Sequence, residues 1–515
     1  MPDQKKGIYL SNHFGTTVRF SLLAGIITHL FGLVNTLHNY DDICMQPYGY
    51  GAGITSGRWF LTILGNIAEF FECTYNLPLV NGVLFLILLA VSSGFLVSTL
   101  NIRSKVFAIL IGMLFAVFPS VTSTLFFKYT VPYYGLAILL SVLAAWIMHR
   151  CKFALLLSAY FTALSLGIYQ AYTPITIGLF VLMLLQYTLS GNHSLSSIIR
   201  RGTYYCASLV LGLLLYFLCL KMLLAVSGNY LSSYQNVDKM GQITWSTFPQ
   251  LLYESFSALC LLPRVNYCGL ATTRLLKLMY FTMGSYSLLL VSYILVTTCR
   301  KPLAALAAAL LCILFPVAVN FIVVMCPDSV IYTIMVYGFV LVPCFPLVVF
   351  ECLPAVSPKL RIVKKAFYYG IAFVVSVVIA FYSYEANVSY SALYYSNRQT
   401  ENYLSSIITQ VRMTDGFTHD KKWVFIGDIQ DPLLSSPWEH ETRYGGNQHT
   451  EKLLNAYSRI DWISNYIGYK LPQAGAYEIS AFIKNAEVKS MPCWPDQGSI
   501  KVIDNAVVIK FQDLS

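Results

Sequence analysis

Hydrophobic positions along this chain gather in unbroken runs instead of alternating with polar ones. The runs fall near residues 16–37, 78–99, 106–126, 131–149, 153–169, 172–190, 203–226, 278–298, 303–325, 331–350 and 367–385. A helix that crosses a bilayer takes about 20 mostly apolar residues, so the pattern predicts an all-α polytopic membrane bundle of about 11 spans. Between the runs, Arg58–Tyr75 is amphipathic at helical spacing, with Phe60, Ile63, Leu64, Ile67, Phe70 and Phe71 on one side and Asn66, Glu69 and Glu72 on the other. Such a helix lies in the plane of the membrane interface. A second amphipathic stretch covers Phe248–Leu262.

The pattern changes after about Asn387, where apolar runs shrink to strand length. Trp423-Val-Phe-Ile-Gly reads as a strand, Ala476–Asn485 as a helix, and Ser499–Ile503 with Ala506–Phe511 as a hairpin turning at Asp504-Asn505. The predicted organisation is a membrane domain over 1–386, with outer loops at about 38–77 and 227–277, and a small α/β outer domain over 387–515. No repeat divides the membrane region into two similar bundles.

Composition supports this division. The chain is 57% hydrophobic with a mean hydropathy of +0.61, beyond the range of a soluble domain of this size. Its net charge of +10 comes from basic residues that occupy alternate loops: Lys5-Lys6, Arg103 and Lys105, Arg150 and Lys152, Arg200-Arg201, Arg300-Lys301 and Lys359–Lys365. Positive loops stay in the cytoplasm, which puts the N-terminus inside and the C-terminus outside. The basic residues do not gather on one soluble face, so nucleic acid is excluded as a partner. Residues 1–20 lack a compact apolar core ending in a cleavage site, so the first span is expected to remain.

Most of the thirteen cysteines lie in apolar runs, as Cys206, Cys219, Cys299, Cys312 and Cys344 do, and there they act as small hydrophobes. Cys44, Cys73, Cys260, Cys268, Cys326 and Cys493 fall on the expected outer side, with free thiols as the default. No Cys/His zinc spacing occurs, and neither a metal nor another cofactor is indicated. Asn192-His-Ser and Asn387-Val-Ser fit the glycosylation triplet, a match that chance supplies.

Candidate chemistry sits at the outer ends of the spans. Asp41-Asp42 follows the first run, and Ser56-Gly-Arg58-Trp59 comes soon after it. A carboxylate at the hydrocarbon boundary is partly desolvated, which suits a general base; two neighbours titrate as a pair, so either could be that base. Arg58, Lys128, Arg264 and Arg274 stand outside against the positive-inside bias and are candidate phosphate ligands, Lys277 being better explained by snorkelling. An arginine binds phosphate through a planar fork, a lysine as a point charge. Tyr133, Tyr134, Tyr169 and Gln170 could bind a sugar, as could the outer carboxylate Asp328, although an interfacial aromatic belt accounts for many tyrosines. Glycine-rich nucleotide motifs and Ser-His-Asp arrangements are absent, which argues against a cytoplasmic nucleotide-sugar donor.

Tyr40-Asp41-Asp42, Gly51–Trp59, Leu166-Gly-Ile-Tyr169-Gln170 and Met491-Pro-Cys-Trp-Pro-Asp-Gln-Gly-Ser-Ile-Lys501 together resemble the type-II O-antigen glucosyltransferase family. The resemblance spans most of the chain and implies an architecture similar to the C-type glycosyltransferases, which use polyprenyl- or dolichyl-phosphate sugars. It implies a base at Asp41 or Asp42, glucose as the sugar, inversion at the anomeric carbon and a bacterial inner-membrane location. The partners it implies are a polyprenyl-phosphate-linked sugar, a surface polysaccharide acceptor of O-antigen, capsule or teichoic-acid type, the lipid bilayer, and a donor synthase and donor flippase. Family members often carry a basic residue soon after the aspartates, where this chain has Cys44-Met45-Gln46. A lipid-linked oligosaccharide flippase and a polysaccharide polymerase are the competing readings. A carrier would place ionisable residues in mid-span, and most runs here are free of them.

Overall fold

The computed structural model describes residues 10–190, 193–242, 244–298, 301–355, 357–429, 431, 434–435, 437–438 and 444–513. Lys5-Lys6, Asn192, Cys299 and Arg300 lie outside the described residues. The chain forms two compact units, one of Met1–Val34 with Tyr50–Asn387 and one of Asn35–Gly49 with Val388–Ser515. The start of the loop expected at 38–77 therefore belongs to the same unit as the C-terminal residues.

The first unit is helical. Among the described residues, eight helices are long and apolar enough to cross a membrane: Phe14–Val34, Pro78–Thr99, Lys105–Leu125, Gln170–Leu189, Leu195–Ser227, Arg274–Thr297, Pro302–Val319 and Pro358–Met413. Each of the eleven apolar runs lies on a helix, but three lie on the shorter Val131–Ile147, Ala154–Ile168 and Tyr337–Glu351. Irregular backbone trims these helices. His149 takes a left-handed φ of 68° just after the first, and Tyr169 is extended at the end of the second. A 15-residue helix such as Ala154–Ile168 is roughly 22 Å long, against a hydrocarbon core of about 30 Å. Proline in the first turn opens several helices, including Pro78–Thr99, Val131–Ile147 and Pro302–Val319, where its missing N–H costs nothing.

Small and hydroxylated residues let these helices approach closely, the packing mode available where lipid is as apolar as leucine. A Cβ on Gly112 would stand 2.6 Å from the Thr17 carbonyl oxygen, so Lys105–Val117 and Phe14–Val34 can cross this tightly only with glycine there. Ser141 bonds Ser165 at 2.8 Å and Ser208 bonds Ser158 at 2.8 Å between neighbouring helices. The interfacial stretch forms the helix Trp59–Phe70. It buries Trp59, Leu61 and Gly65 and leaves Ile67, Phe70 and Phe71 exposed, the side a bilayer interface would cover. The second amphipathic stretch is the helix Phe248–Cys260.

In the second unit, β1 (Lys422–Ile426), β2 (Ile500–Ile503) and β3 (Ala506–Lys510) form a sheet of order β1-β3-β2. β2 and β3 are the expected antiparallel hairpin, and β1 joins β3 in parallel with Val424 opposite Val508. Val424, Ile426, Ile503 and Val508 are buried with Val488 and Met491, each worth about 1.5–3 kcal/mol relative to exposure. The expected helix is Ala476–Lys484. Elsewhere in the unit, the Arg459 guanidinium lies over both Phe425 (4.8 Å) and Phe511 (4.9 Å) and donates to the Gly427 carbonyl at 3.1 Å.

Candidate active site

The candidate residues fall into two clusters, one in each unit. In the first unit, Ile54–Ser56 makes one tight turn that ends on Gly57 with φ +73°. A Cβ there would stand 2.7 Å from both Gln170 Nε2 and Tyr216 Oη, so the position requires glycine on two counts. Gln170 Nε2 donates to the Ser56 carbonyl at 2.9 Å and to Tyr216 Oη at 3.2 Å, while Tyr216 Oη donates to the Gly57 carbonyl at 3.0 Å. These three bonds fix the turn that delivers Arg58.

Arg58 is the N-cap of the helix Trp59–Phe70 and provides no side-chain cap. A cation at this helix end faces the positive pole of the dipole, which favours an anion. Its guanidinium lies 4.9 Å over the Tyr169 ring, and Tyr169 stacks on Tyr134 at 4.4 Å and 13°. Tyr172 meets both rings edge-on. Burial acts to lower the Arg58 pKa, but the oxygens of Tyr134, Tyr169, Tyr129 and Tyr216 more than offset it, so the group stays charged. Among the described residues no carboxylate pairs with it. Arg58 Nε and the neighbouring Trp59 Nε1 are both buried donors without a hydrogen-bond partner, a state that costs roughly 1–3 kcal/mol per group.

The second unit holds the aspartates. Asn39 caps the short helix Tyr40–Cys44 by accepting from the Asp42 N–H at 2.7 Å. Asp42 is 0% exposed, and its carboxylate accepts from His38 Nδ1 at 2.6 Å. Asp41 is half-buried and lies within electrostatic reach of the Tyr457 hydroxyl. Burial, then the Asp41 charge, raises the Tyr457 pKa and keeps that hydroxyl protonated. Cys44 donates its thiol to the Tyr40 carbonyl at 3.0 Å. Burial, followed by the Asp461 hydrogen bond and charge, pushes its pKa up to about 12, so it is no nucleophile at neutral pH.

The family model of glucosyl transferase GtrII matches residues 30–343, more than half of the chain. The chain belongs to the GtrII glucosyl transferase family. No curated protein and no solved structure matches it. Membership makes the protein a glucosyltransferase, and its long apolar helices make it a membrane protein. The matched region of this GtrII chain carries both aspartates and the Arg58 turn and ends before Val388.

Of the residues picked from the GtrII sequence, Arg58, Tyr134, Tyr169 and Gln170 come together. Tyr133 is half-buried within electrostatic reach of Glu69. Lys128 is 3% exposed, and its carbonyl accepts from Asn81 Nδ2 at 3.1 Å. Arg264 and Arg274 are exposed, and among the described residues neither bonds a member of the Arg58 cluster. Asp328 is exposed with φ +59°, and its carbonyl accepts from Asn236 Nδ2 at 3.2 Å, a contact that ties two loops. The cysteines among the described residues are free.

Sequence reasoning passed over His38 and Tyr216. His38 had a local signal, because a histidine four positions before an aspartate at a helix start can reach it. Tyr216 had none, being one tyrosine among thirty-seven. The Met491–Lys501 motif is tied into its own unit: Trp494 Nε1 donates to Tyr403 Oη at 2.8 Å, and Lys510 Nζ donates to the Met491 carbonyl at 2.6 Å.

Proposed function

We propose that this glucosyltransferase takes glucose from a polyprenyl phosphate and adds it, with inversion, to a surface polysaccharide of O-antigen, capsule or teichoic-acid type. The protein would cross a bacterial inner membrane eleven times, with its N-terminus inside and its chemistry on the outer face, and share the C-type architecture. The acceptor hydroxyl gives its proton to the Asp41/Asp42 carboxylates and its oxygen attacks the anomeric carbon. The bond from that carbon to the phosphate oxygen breaks, and the electron pair leaves on polyprenyl phosphate, where Arg58 meets the added charge.

The observation that carries this reading is the pair of buried, unpartnered donors, Arg58 Nε and Trp59 Nε1, at a helix N-terminus without a carboxylate partner among the described residues. A phosphate would supply the acceptors that the Arg58 guanidinium lacks. The same helix exposes Ile67 and Phe70 further along, so it suits an amphiphile with an anionic head and a hydrocarbon tail. The test is glucose transfer by purified protein from polyprenyl-phosphate glucose to lipid-linked polysaccharide, with the anomeric configuration of the product read by NMR. At least one of Asp41→Asn and Asp42→Asn should lower turnover on the order of 10²-fold. A product of retained configuration, or full rates in both variants, would refute the mechanism.

A further inference from the structure

Asp41 and Asp42 are adjacent on a helix, so their side chains point about 100° apart and do not share one environment. Asp42 is fully enclosed and receives the His38 ring, whereas Asp41 is half-buried. His38 is itself 2% exposed and doubly held. Its N–H donates to Asn397 Oδ1 at 2.7 Å, and its carbonyl accepts from Asn397 Nδ2 at 2.9 Å. Trp462 and Tyr466 meet its ring edge-on, both from a short π-helical segment, Trp462–Ile467, whose wide turn sets their spacing. Two further side chains hold the loop backbone: Gln448 Oε1 accepts from the Tyr40 N–H at 3.2 Å, and Asn465 Nδ2 donates to the Ile43 carbonyl at 3.2 Å.

From this we infer that His38 and Asp42 form a buried positioning pair, anchored by Asn397, and that Asp41 is the carboxylate presented to the acceptor as base. The inference rests on the proposed role of the aspartate pair and narrows it. Asp42 spends its carboxylate on His38 inside the protein, where a polysaccharide hydroxyl cannot reach it. Gln448, Asn465 and Asn397 make the C-terminal residues part of the catalytic machinery, because they hold the loop that bears the base. A buried carboxylate that loses a hydrogen-bond donor is destabilised, so removing the His38 ring should loosen the helix turn and with it Asp41.

Turnover and donor KM of the full-length protein in detergent or nanodiscs test this, with a thermal melt of each variant as the folding check. His38→Leu should lower kcat about 30-fold or more while donor KM stays within about two-fold, the split expected when only the transition-state geometry is lost. His38→Asn keeps an N–H donor near the Nδ1 position and should recover turnover to within about five-fold of the parent. Asp41→Asn should lose on the order of 10²-fold or more, and Asp42→Asn about ten-fold. In the double variant, His38→Leu and Asp42→Asn should cost no more than the worse single change, because they remove one interaction. The inference is overturned if His38→Asn is as impaired as His38→Leu, or if Asp42→Asn loses as much as Asp41→Asn. Full rates in both aspartate variants would instead bring down the underlying assignment of the base. Should His38→Leu fail to fold, the His38→Asn and aspartate comparisons still decide.

Discussion

The Arg58 turn and the aspartate loop stand seventeen positions apart in sequence, yet they are opposites in electrostatic bookkeeping. In the loop, Asp42 accepts from His38, and Asp41 lies within electrostatic reach of the Tyr457 hydroxyl. At the turn, the backbone is fully held by Gln170 and Tyr216, but the guanidinium it delivers keeps a buried Nε unpartnered. A buried donor without an acceptor carries a desolvation cost that a bound anion would repay. Under the proposed mechanism the turn is the anion site, and the loop carries the reactive carboxylate.

Arg58→Ala should have the largest effect on this contrast, lowering kcat/KM for polyprenyl-phosphate glucose on the order of 10²- to 10³-fold. Arg58→Lys sharpens the contrast further. A lysine keeps the charge but not the fork, and the phosphate gains charge as the glycosidic bond breaks. Its kcat should fall by at least about ten-fold while donor binding weakens less. A lysine variant with parental turnover would reduce the turn to a lipid-headgroup contact.

These two regions were unequally legible in the sequence. Arg58 was visible because a lone arginine beside an aspartate pair is conspicuous in a chain only 11% charged. Gln170 was visible because an amide among interfacial tyrosines has no use in lipid. The aspartates were visible too, but their setting was not, since Asn397 and Gln448 reach the loop across 359 and 408 positions. Hydropathy carries no record of such pairings. It does record apolar runs, and every run lies on a helix. Helix length is another matter, because the breaks at His149 and Tyr169 depend on local backbone conformation. The hairpin at Asp504-Asn505 was legible since its turn chemistry and strands are contiguous, whereas the parallel pairing of β1 with β3 joins segments more than eighty residues apart.

A smaller effect is expected where the turn is clamped. Gly57→Ala adds a methyl 2.7 Å from Gln170 Nε2 and Tyr216 Oη at a φ of +73°, so the turn must shift. The strain should cost about 1–3 kcal/mol, read as a lower melting temperature, and turnover should fall roughly ten-fold through the displaced guanidinium. Gln170→Leu removes the clamp without adding bulk and should reproduce the loss of turnover with a milder stability change. If Gly57→Ala lowered stability and left turnover intact, the position of Arg58 would not depend on the clamp, and the turn would lose its claim to be preorganised.

The smallest effect concerns thiol reactivity and leaves catalysis aside. Cys44 sits on the aspartate helix with its pKa pushed up to about 12 by burial first and then by Asp461. Cys73, which follows the Arg58-capped helix, is exposed. The thiolate is the reactive form, so at pH 8 Cys44 is ionised far less than an unperturbed thiol. Because the pKa is raised, Cys44 labelling should climb with pH all the way toward 12. In folded protein a maleimide should label Cys73 within minutes and spare Cys44, as peptide mass spectrometry can establish. Unfolding in denaturant should bring the two rates together. His38→Leu should also raise the Cys44 rate selectively, because it frees the helix that carries Cys44 and leaves Cys73 in its own unit untouched. Equal labelling of the two cysteines in the folded parent would mean that the aspartate loop is loosely held, and the contrast between a satisfied loop and an unsatisfied turn would not survive that result.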